Sequence, residues 1–369
     1  MNISHLFEGL RIVKESFRKK FKGHNKFSGD VESICRSIIS SCYNKEKGYF
    51  MVSTGNFSQF WSRDFGMVCK ALLELGYEKE VKSTLVYSME KFSSHGKITT
   101  QITPRGKCVD FPYYTPESAS YMLNSLILLN DKKLINQYKP FFESIAKRVF
   151  EEDIDKSTGL LRKDKYFSSM KDHSKRKSSC YNNCLLALFV KNLEKIGVIS
   201  PLQKYDYPEL LKKYFWKDGF IDDLSGKKVF SGDANTYPYW TGIITDKAMF
   251  KESLRVVKRK ELDHPWPLKY TTYDDAGKFN FADVLVPGYE RDSIWMHLGV
   301  NFLEVVCRFD KKIFNQYMNK YEELIAKQKN FYEVYNASGE PFKTLLYQTD
   351  DTIIWAAVFL NLYLKKNEN

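Results

Sequence analysis

Apolar residues recur three and four positions apart along most of the chain, a spacing that predicts helices. The pattern places them near 30–43, 64–77, 78–94, 115–130, 132–154, 180–197, 202–216, 233–244, 247–262, 290–310, 311–330 and 347–366. A short amphipathic helix at 4–20 precedes these twelve. Two kinds of helix alternate. Segments such as "KAMFKESLRVVKRKEL" and "KKIFNQYMNKYEELIAKQKN" carry one apolar stripe and one charged face, as expected of a helix that meets water on one side. Segments such as "NNCLLALFVKNL", "DSIWMHLGVNFLEVV" and "DTIIWAAVFLNLYL" are apolar nearly all round, which predicts an interior position.

The connections alternate as well. "LGYEK" and "LLNDKKL" are short, whereas 95–114, 155–179, 217–232, 263–289 and 331–346 are long and rich in Gly, Pro, Ser and rings. Helices that follow a long connection begin near 64, 115, 180, 233, 290 and 347, in steps of 51, 65, 53, 57 and 57. This regular period with little residue identity is the mark of a repeated helical hairpin. Six hairpins can close into an all-α (α/α)6 toroid, with six apolar helices inside and six amphipathic ones outside. The barrel is expected over 30–369, after an N-terminal extension at 1–29. All long loops then fall on one end and build a cup at the N-termini of the inner helices.

The cup segments are "QFWSRDFG" (59–66), "FPYYTPES" (111–118), "SSMKDHSKRKSSCYNN" (168–183), "SGDANTYPYW" (231–240), "VPGYERDS" (286–293) and "FYEVYNASGEP" with "YQTDD" (331–341 and 347–351). Each pairs a carboxylate with nearby rings. Aromatic faces stack on pyranose rings, while carboxylates and arginines bind hydroxyls or move protons. Helix capping is the competing explanation for Asp64, Asp233 and Asp350, because an Asp ahead of a helix accepts hydrogen bonds from its first N–H groups. Capping leaves the surrounding Trp and Tyr, and Arg63 and Arg291, unexplained.

Composition narrows the choices. Of 369 residues, 15% are aromatic, with 27 Phe, 24 Tyr and 6 Trp, which suits a ring-lined cleft. The net charge of +12 is spread over helix faces, and no nucleic-acid motif accompanies it, so a solvated basic surface is expected rather than a nucleic-acid partner. Seven cysteines at irregular spacing read as reduced, buried thiols of a cytoplasmic protein. No apolar run is long enough to span a bilayer, so no membrane partner is expected. His173, His264 and His297 show no ligand spacing, and no phosphate-binding glycine pattern is present. Neither metal nor cofactor is expected, and the oligomeric state is left open.

The ordered series of cup motifs, covering about 50–366, resembles the six-hairpin glycosidases: glucoamylases, trehalases, neutral invertases and the glucosidase domain of glycogen-debranching enzymes. "FWSRDFGMVCKALLELG" resembles the first inner-helix motif, whose Asp binds the sugar at the point of cleavage. The resemblance gives Asp64 that role, with Arg63 and Trp61 beside it. "YYTPESASYM" resembles the second motif and gives Glu117 a sugar contact. "SSMKDHSKRKSSCYNNCLLALFVKNL" resembles the segment that carries the general acid, and Asp172 takes the place. "VPGYERDSIWMHLG" resembles the loop entering the fifth inner helix, with Tyr289, Arg291 and Asp292. "FYEVYNASGEP" resembles the closing motif and makes Glu333 the general base. "SGDANTYPYWTGI" supplies Asp233, Tyr237 and Trp240 as further sugar-binding candidates. The chain departs from the pattern in having "CYNNC" where the third inner helix usually opens on an acidic or amide-rich patch, and in lacking a separate β-domain before the barrel.

The resemblance implies hydrolysis of an α-glucosidic bond in an oligosaccharide or glucan, with inversion. Such a reaction needs two carboxyl groups in different protonation states, hence in different surroundings. Glu333, between Tyr332 and Tyr335, is expected to stay ionised through hydroxyl hydrogen bonds. The basic run beside Asp172 stands against its role as donor, and Asp292 is the next candidate. The alternatives are a non-catalytic carbohydrate-binding protein on the same toroid, or another toroidal sugar enzyme such as an epimerase or a lyase.

Overall fold

The computed structural model describes residues 3–276 and 286–367, with the backbone alone at 3–10; part of the fourth long connection, 277–285, lies outside the described residues. Thirteen α-helices are present among them. In chain order they are α1 (Ile3–Lys22), α2 (Val31–Ser41), α3 (Ser62–Glu74), α4 (Glu78–His95), α5 (Glu117–Leu129), α6 (Lys132–Glu152) and α7 (Cys180–Lys195). Then come α8 (Tyr207–Phe215), α9 (Tyr237–Trp240), α10 (Lys247–Arg259), α11 (Met296–Phe309), α12 (Lys311–Gln328) and α13 (Ala356–Asn367).

The inner ring closes on itself. Helix α3 packs on α5, α5 on α7, α7 on α9, α9 on α11, α11 on α13, and α13 back on α3. The outer helices are α2, α4, α6, α8, α10 and α12. The apolar, unstriped sequences are inside: every residue of α7 from Cys180 to Val190 is buried. Each fully buried Leu or Phe side chain stabilises the ring by about 1.5–3 kcal/mol. Gly66 lets two inner helices meet, since a Cβ there would collide with the Tyr121 ring.

Capping divides the two rings. Five outer helices are capped by an Asp side chain: Asp30, Asp131, Asp206, Asp246 and Asp310 each accept a first-turn N–H. Among the inner helices α3, α5, α9 and α11 have no side-chain cap, and α7 uses Ser179. The acids at the start of the inner ring are therefore left for other work, and capping does not account for Asp64, Asp233 or Asp350.

Three expected helices are shorter than their apolar pattern. The fourth inner helix is one turn, Tyr237–Trp240, with Pro238 inside it and turns on both sides. The fifth begins at Met296, because Ile294–Trp295 pairs with Val334–Tyr335 as a short antiparallel ribbon. The last begins at Ala356, and 347–355 is irregular chain that delivers Asp350, Asp351 and Trp355. A second small sheet joins Phe60–Trp61, Gln101–Ile102 and Cys108–Val109. These ribbons, absent from the sequence expectation, set the loops in register at the N-terminal end of the ring. Helix α1 docks on the barrel, where Arg11 donates to the Gly55 carbonyl at 3.0 Å.

Candidate active site

Two half-sites form at this end. The first is built on Arg63 in the opening turn of α3. Its Nε donates to Glu117 Oε1 at 2.7 Å, and Nη2 donates to Asp172 Oδ1 at 2.9 Å. Ser168 Oγ also donates to Asp172 Oδ1, at 2.8 Å. Glu117 is buried, whereas the Asp172 side chain is 25% exposed, so Asp172 is the more accessible of the two carboxylates sharing this guanidinium. Asp64, one residue on, accepts from Trp355 Nε1 at 2.9 Å. Burial pushes Asp64 up to about 6, against the pull of Arg63 and Trp355. Burial also raises Glu117, with Arg63 opposing. One cation thus serves three carboxylates. Trp61 closes the wall, edge-on to Phe57 and to Phe111, and Phe111 is edge-on to His173.

The second half-site surrounds Glu333. Tyr289 donates its hydroxyl to Oε1, Tyr347 donates to Oε2 at 2.5 Å, and the Asp350 N–H donates to Oε2 at 2.9 Å. The backbone is held as firmly: Met296 N–H reaches the Glu333 carbonyl at 3.1 Å, and Glu333 N–H reaches the Asp350 carbonyl at 3.0 Å. A carboxylate offers about four acceptor positions. Three are used by described residues, and the fourth, on Oε1, has no partner among them. The hydroxyls come from Tyr289 and Tyr347 rather than from the flanking Tyr332 and Tyr335; they favour the ionised form, but burial and the Asp350 charge outweigh them and push Glu333 up to about 7.

A run of ring contacts joins the halves. Trp355, which bonds Asp64, lies 4.5 Å from the His297 ring. His297 lies 5.2 Å from Trp295, and Trp295 lies 4.6 Å from Tyr289, the partner of Glu333. Burial holds His297 well below the usual imidazole range, so it is neutral and fills space between the halves. Its Nε2 meets Tyr270 Oη at 3.1 Å.

The basic run near Asp172 points elsewhere. Arg176 is buried, with Nη1 bonded to Asp222 Oδ1 at 2.7 Å and to Asp233 Oδ2 at 2.6 Å. Lys175 lies over the Tyr166 ring, and Lys177 is exposed. The loop is tied down by Glu290, whose carboxylate accepts the His173 N–H at 3.0 Å and 3.1 Å. Buried Lys171 donates to Thr271 Oγ1 at 3.3 Å.

The fourth cup segment departs from its expected role. Asp233 is fully buried and committed to Arg176, so a sugar would have to break a buried ion pair to reach it. Tyr237 is buried on the barrel axis, where Tyr121 and Asn301 donate to its hydroxyl at 3.3 Å and 2.8 Å. Trp240 donates Nε1 to Glu304 at 2.7 Å. Glu304 is the ninth residue of α11, about 12 Å below the start of that helix at 1.5 Å per residue. Tyr237 and Trp240 therefore line the interior rather than the cup. Arg291 lies on the rim with its guanidinium 5.0 Å from the Tyr273 ring, and Asp292 is half-buried beside it. The pattern reading missed Trp355, which stood inside an expected helix, and it gave Tyr347 and Glu290 no role, although both fall in cup segments.

Neither the known family models nor the curated proteins contain a match to this sequence. Solved structures do match in shape. A GH63 mannosylglycerate hydrolase from Thermus thermophilus, in complex with Tris, superposes with a TM-score of 0.63 at 10% identity, covering 90% of this chain and 100% of that one. A rhamnosidase from Klebsiella oxytoca with rhamnose bound gives 0.66 at 8% identity, over 93% of this chain and 65% of that one. A glycosidase in complex with glucose gives 0.66 at 9% identity, over 91% and 96%. This chain has the (α/α)6-barrel fold of these six-hairpin glycosidase structures.

Proposed function

We propose that the protein is a glycoside hydrolase that cleaves an α-glucosidic bond with inversion, using Asp172 as general acid and Glu333 as general base. The observation that carries this reading is the difference between the two carboxylates. Asp172 is partly exposed and shares the Arg63 guanidinium with buried Glu117. Glu333 is buried among three donors, with one acceptor position, on Oε1, that has no partner among the described residues. Two carboxyl groups in such unlike surroundings suit the two roles of an inverting hydrolase.

In this mechanism the open Oε1 position of Glu333 takes a proton from water as the water oxygen attacks the anomeric carbon. Asp172 gives its proton to the glycosidic oxygen as the bond to the leaving group breaks. Tyr289 and Tyr347 orient the base. Asp64 accepts hydrogen bonds from hydroxyls of the glycon, and Trp61 and Phe111 present ring faces or edges to its apolar side. Arg63 fixes Asp172 and Glu117 relative to one another. Asp292 and Arg291 share the loop of Tyr289, which donates to the base, and so lie on the side from which water attacks. The fit to barrels solved with glucose, rhamnose, and Tris with D-glycerate supports a carbohydrate substrate.

The test is a screen for released monosaccharide with maltose, isomaltose, trehalose, sucrose, maltooligosaccharides and a glycerate-bearing glycoside. The wild type and the Glu333→Gln variant are run in parallel. Turnover by the wild type, lost in the variant with sugar binding retained, supports the reading. Sugar binding by both proteins without turnover points instead to a carbohydrate-binding protein. Proton NMR of the first-formed anomer decides inversion.

A further inference from the structure

The N-terminal helix brings a lysine into the second half-site. Lys19, at the end of α1, is almost wholly buried, with its side chain 1% exposed. It forms an ion pair with Asp350, whose side chain is 0% exposed, and it donates to Asn56 Oδ1 at 3.3 Å. Ser53 Oγ bonds the other Asp350 oxygen and accepts the Phe57 N–H at 2.9 Å. A Cβ at Gly55 would collide with Asp350 Oδ1 and lie 2.9 Å from Lys19 Nζ, so this pair is enclosed without spare room. Glu333 N–H donates to the Asp350 carbonyl, and Asp350 N–H donates back to the Glu333 carboxylate at Oε2.

We propose that Lys19 is a positioning residue of the general-base half of the site: it neutralises Asp350, so that no second unpaired carboxylate faces Glu333. The inference rests on the reading of Glu333 as the base. Two buried carboxylates side by side disfavour each other's ionised form, and a buried acid without its cation is strongly unfavourable. The other groups facing this cluster do not replace Lys19. Tyr289 and Tyr347 are neutral donors to Glu333. Asp351, from the same loop, has its own partner in His24 at 3.0 Å and in the Asn25 N–H at 2.9 Å. Tyr332 packs on the His24 ring, and the Cys42 thiol donates to the Thr352 carbonyl at 3.1 Å. The segment before residue 29 thus supplies Lys19 to Asp350 and His24 to Asp351, and the barrel alone leaves Asp350 unpaired.

The experiment follows the Glu333 side-chain carboxyl carbon by 13C NMR against pH, its signal assigned by loss in Glu333→Gln. Lys19→Met is expected to move the Glu333 midpoint up by about one unit or more. Lys19→Arg keeps it near the wild type, and Lys19→Met with Asp350→Asn returns it to the wild-type value or below. An unmoved midpoint in Lys19→Met overturns the proposal, as does an equal shift in Lys19→Arg, which would indicate packing rather than charge. Should Lys19→Met fail to fold, Asp350→Asn carries the test, since it is expected to lower the midpoint and an unchanged value overturns the proposal. On substrate, the acid limb of kcat/KM moves with the midpoint. Full turnover in Glu333→Gln defeats the base assignment and leaves the titration to report on the pair. An inactive Glu333→Gln with a midpoint insensitive to Lys19 defeats this proposal alone.

Discussion

Arg63 and Asp172 stand 109 positions apart in the sequence and 2.9 Å apart in the fold. That bond joins the first inner helix to the second long connection and sets Asp172 beside Asp64 and Glu117. The cation that touches this acid is Arg63 and not one of the basic run that follows it.

Replacing Asp172 by Asn removes the proposed proton donor while keeping the shape. We expect kcat/KM to fall by about 10²–10⁴-fold on a substrate with a poor leaving group. The loss should shrink on an aryl glycoside whose leaving group needs little protonation. Asp292→Asn should stay close to the wild type in both assays. Loss of turnover in Asp292→Asn alone would reassign the donor.

The pH dependence of kcat/KM reports the free enzyme. Glu333 works as base only when ionised, so activity should rise with pH along a limb centred on about 7. A limb centred near 4.5, the ordinary glutamate value, would mean that a different base is at work.

The same group leaves a mark on stability. Its folded value of about 7 lies above the ordinary 4.5, so the folded state holds the proton more tightly than the unfolded chain. The stability this contributes is present below about pH 4.5 and is lost as pH rises through about 7. Comparing Glu333→Gln with the wild type by urea unfolding, we expect the difference to move in favour of Gln by about 2 kcal/mol between about pH 5 and pH 8. A difference independent of pH would contradict the raised value.

Arg176 is the shared cation of Asp222 and Asp233. Changing it to Met leaves two buried carboxylates short of their partner, at a cost of about 3–5 kcal/mol. Denaturant unfolding measures this directly. Asp233→Asn should likewise lower stability while sparing sugar affinity at the cup, because Asp233 is sealed behind Arg176.

Gly66→Ala inserts a methyl group against the Tyr121 ring at the contact of α3 and α5. Overpacking of this kind costs about 1–3 kcal/mol. Because Tyr121 Oη also meets the Tyr181 and Tyr237 hydroxyls, thermal unfolding should be lowered together with the order of that axial cluster.

The helical period and the alternation of short and long connections were enough to place the six hairpins, because both follow from which faces must be dry. Arg63, Asp64, Glu117 and Asp172 were legible as candidates from their place ahead of apolar helices. Residues whose role depends on a distant partner were not. Asp233 looked like a cup acid until Arg176, 57 positions earlier, took its charge. Trp240 looked like a rim aromatic because the periodicity overstated the fourth inner helix, which is a single turn. Trp355 and Tyr347 were hidden in an apolar run that reads as helix, although its first nine residues fold as irregular chain instead. Lys19 was read as part of a solvated basic face, since nothing near it in sequence tells of an aspartate 331 positions away.

The ring is sealed where α13 meets α3, and Asp64 finds Trp355 only across that seam. Without residues 355–369 the chain would hold five inner helices, an open flank and no Trp355 against Asp64. Local helices form early, whereas contacts between distant segments wait on loop closure. The surroundings of Asp64 should therefore be completed in one step, when α13 closes on α3, rather than accumulate hairpin by hairpin.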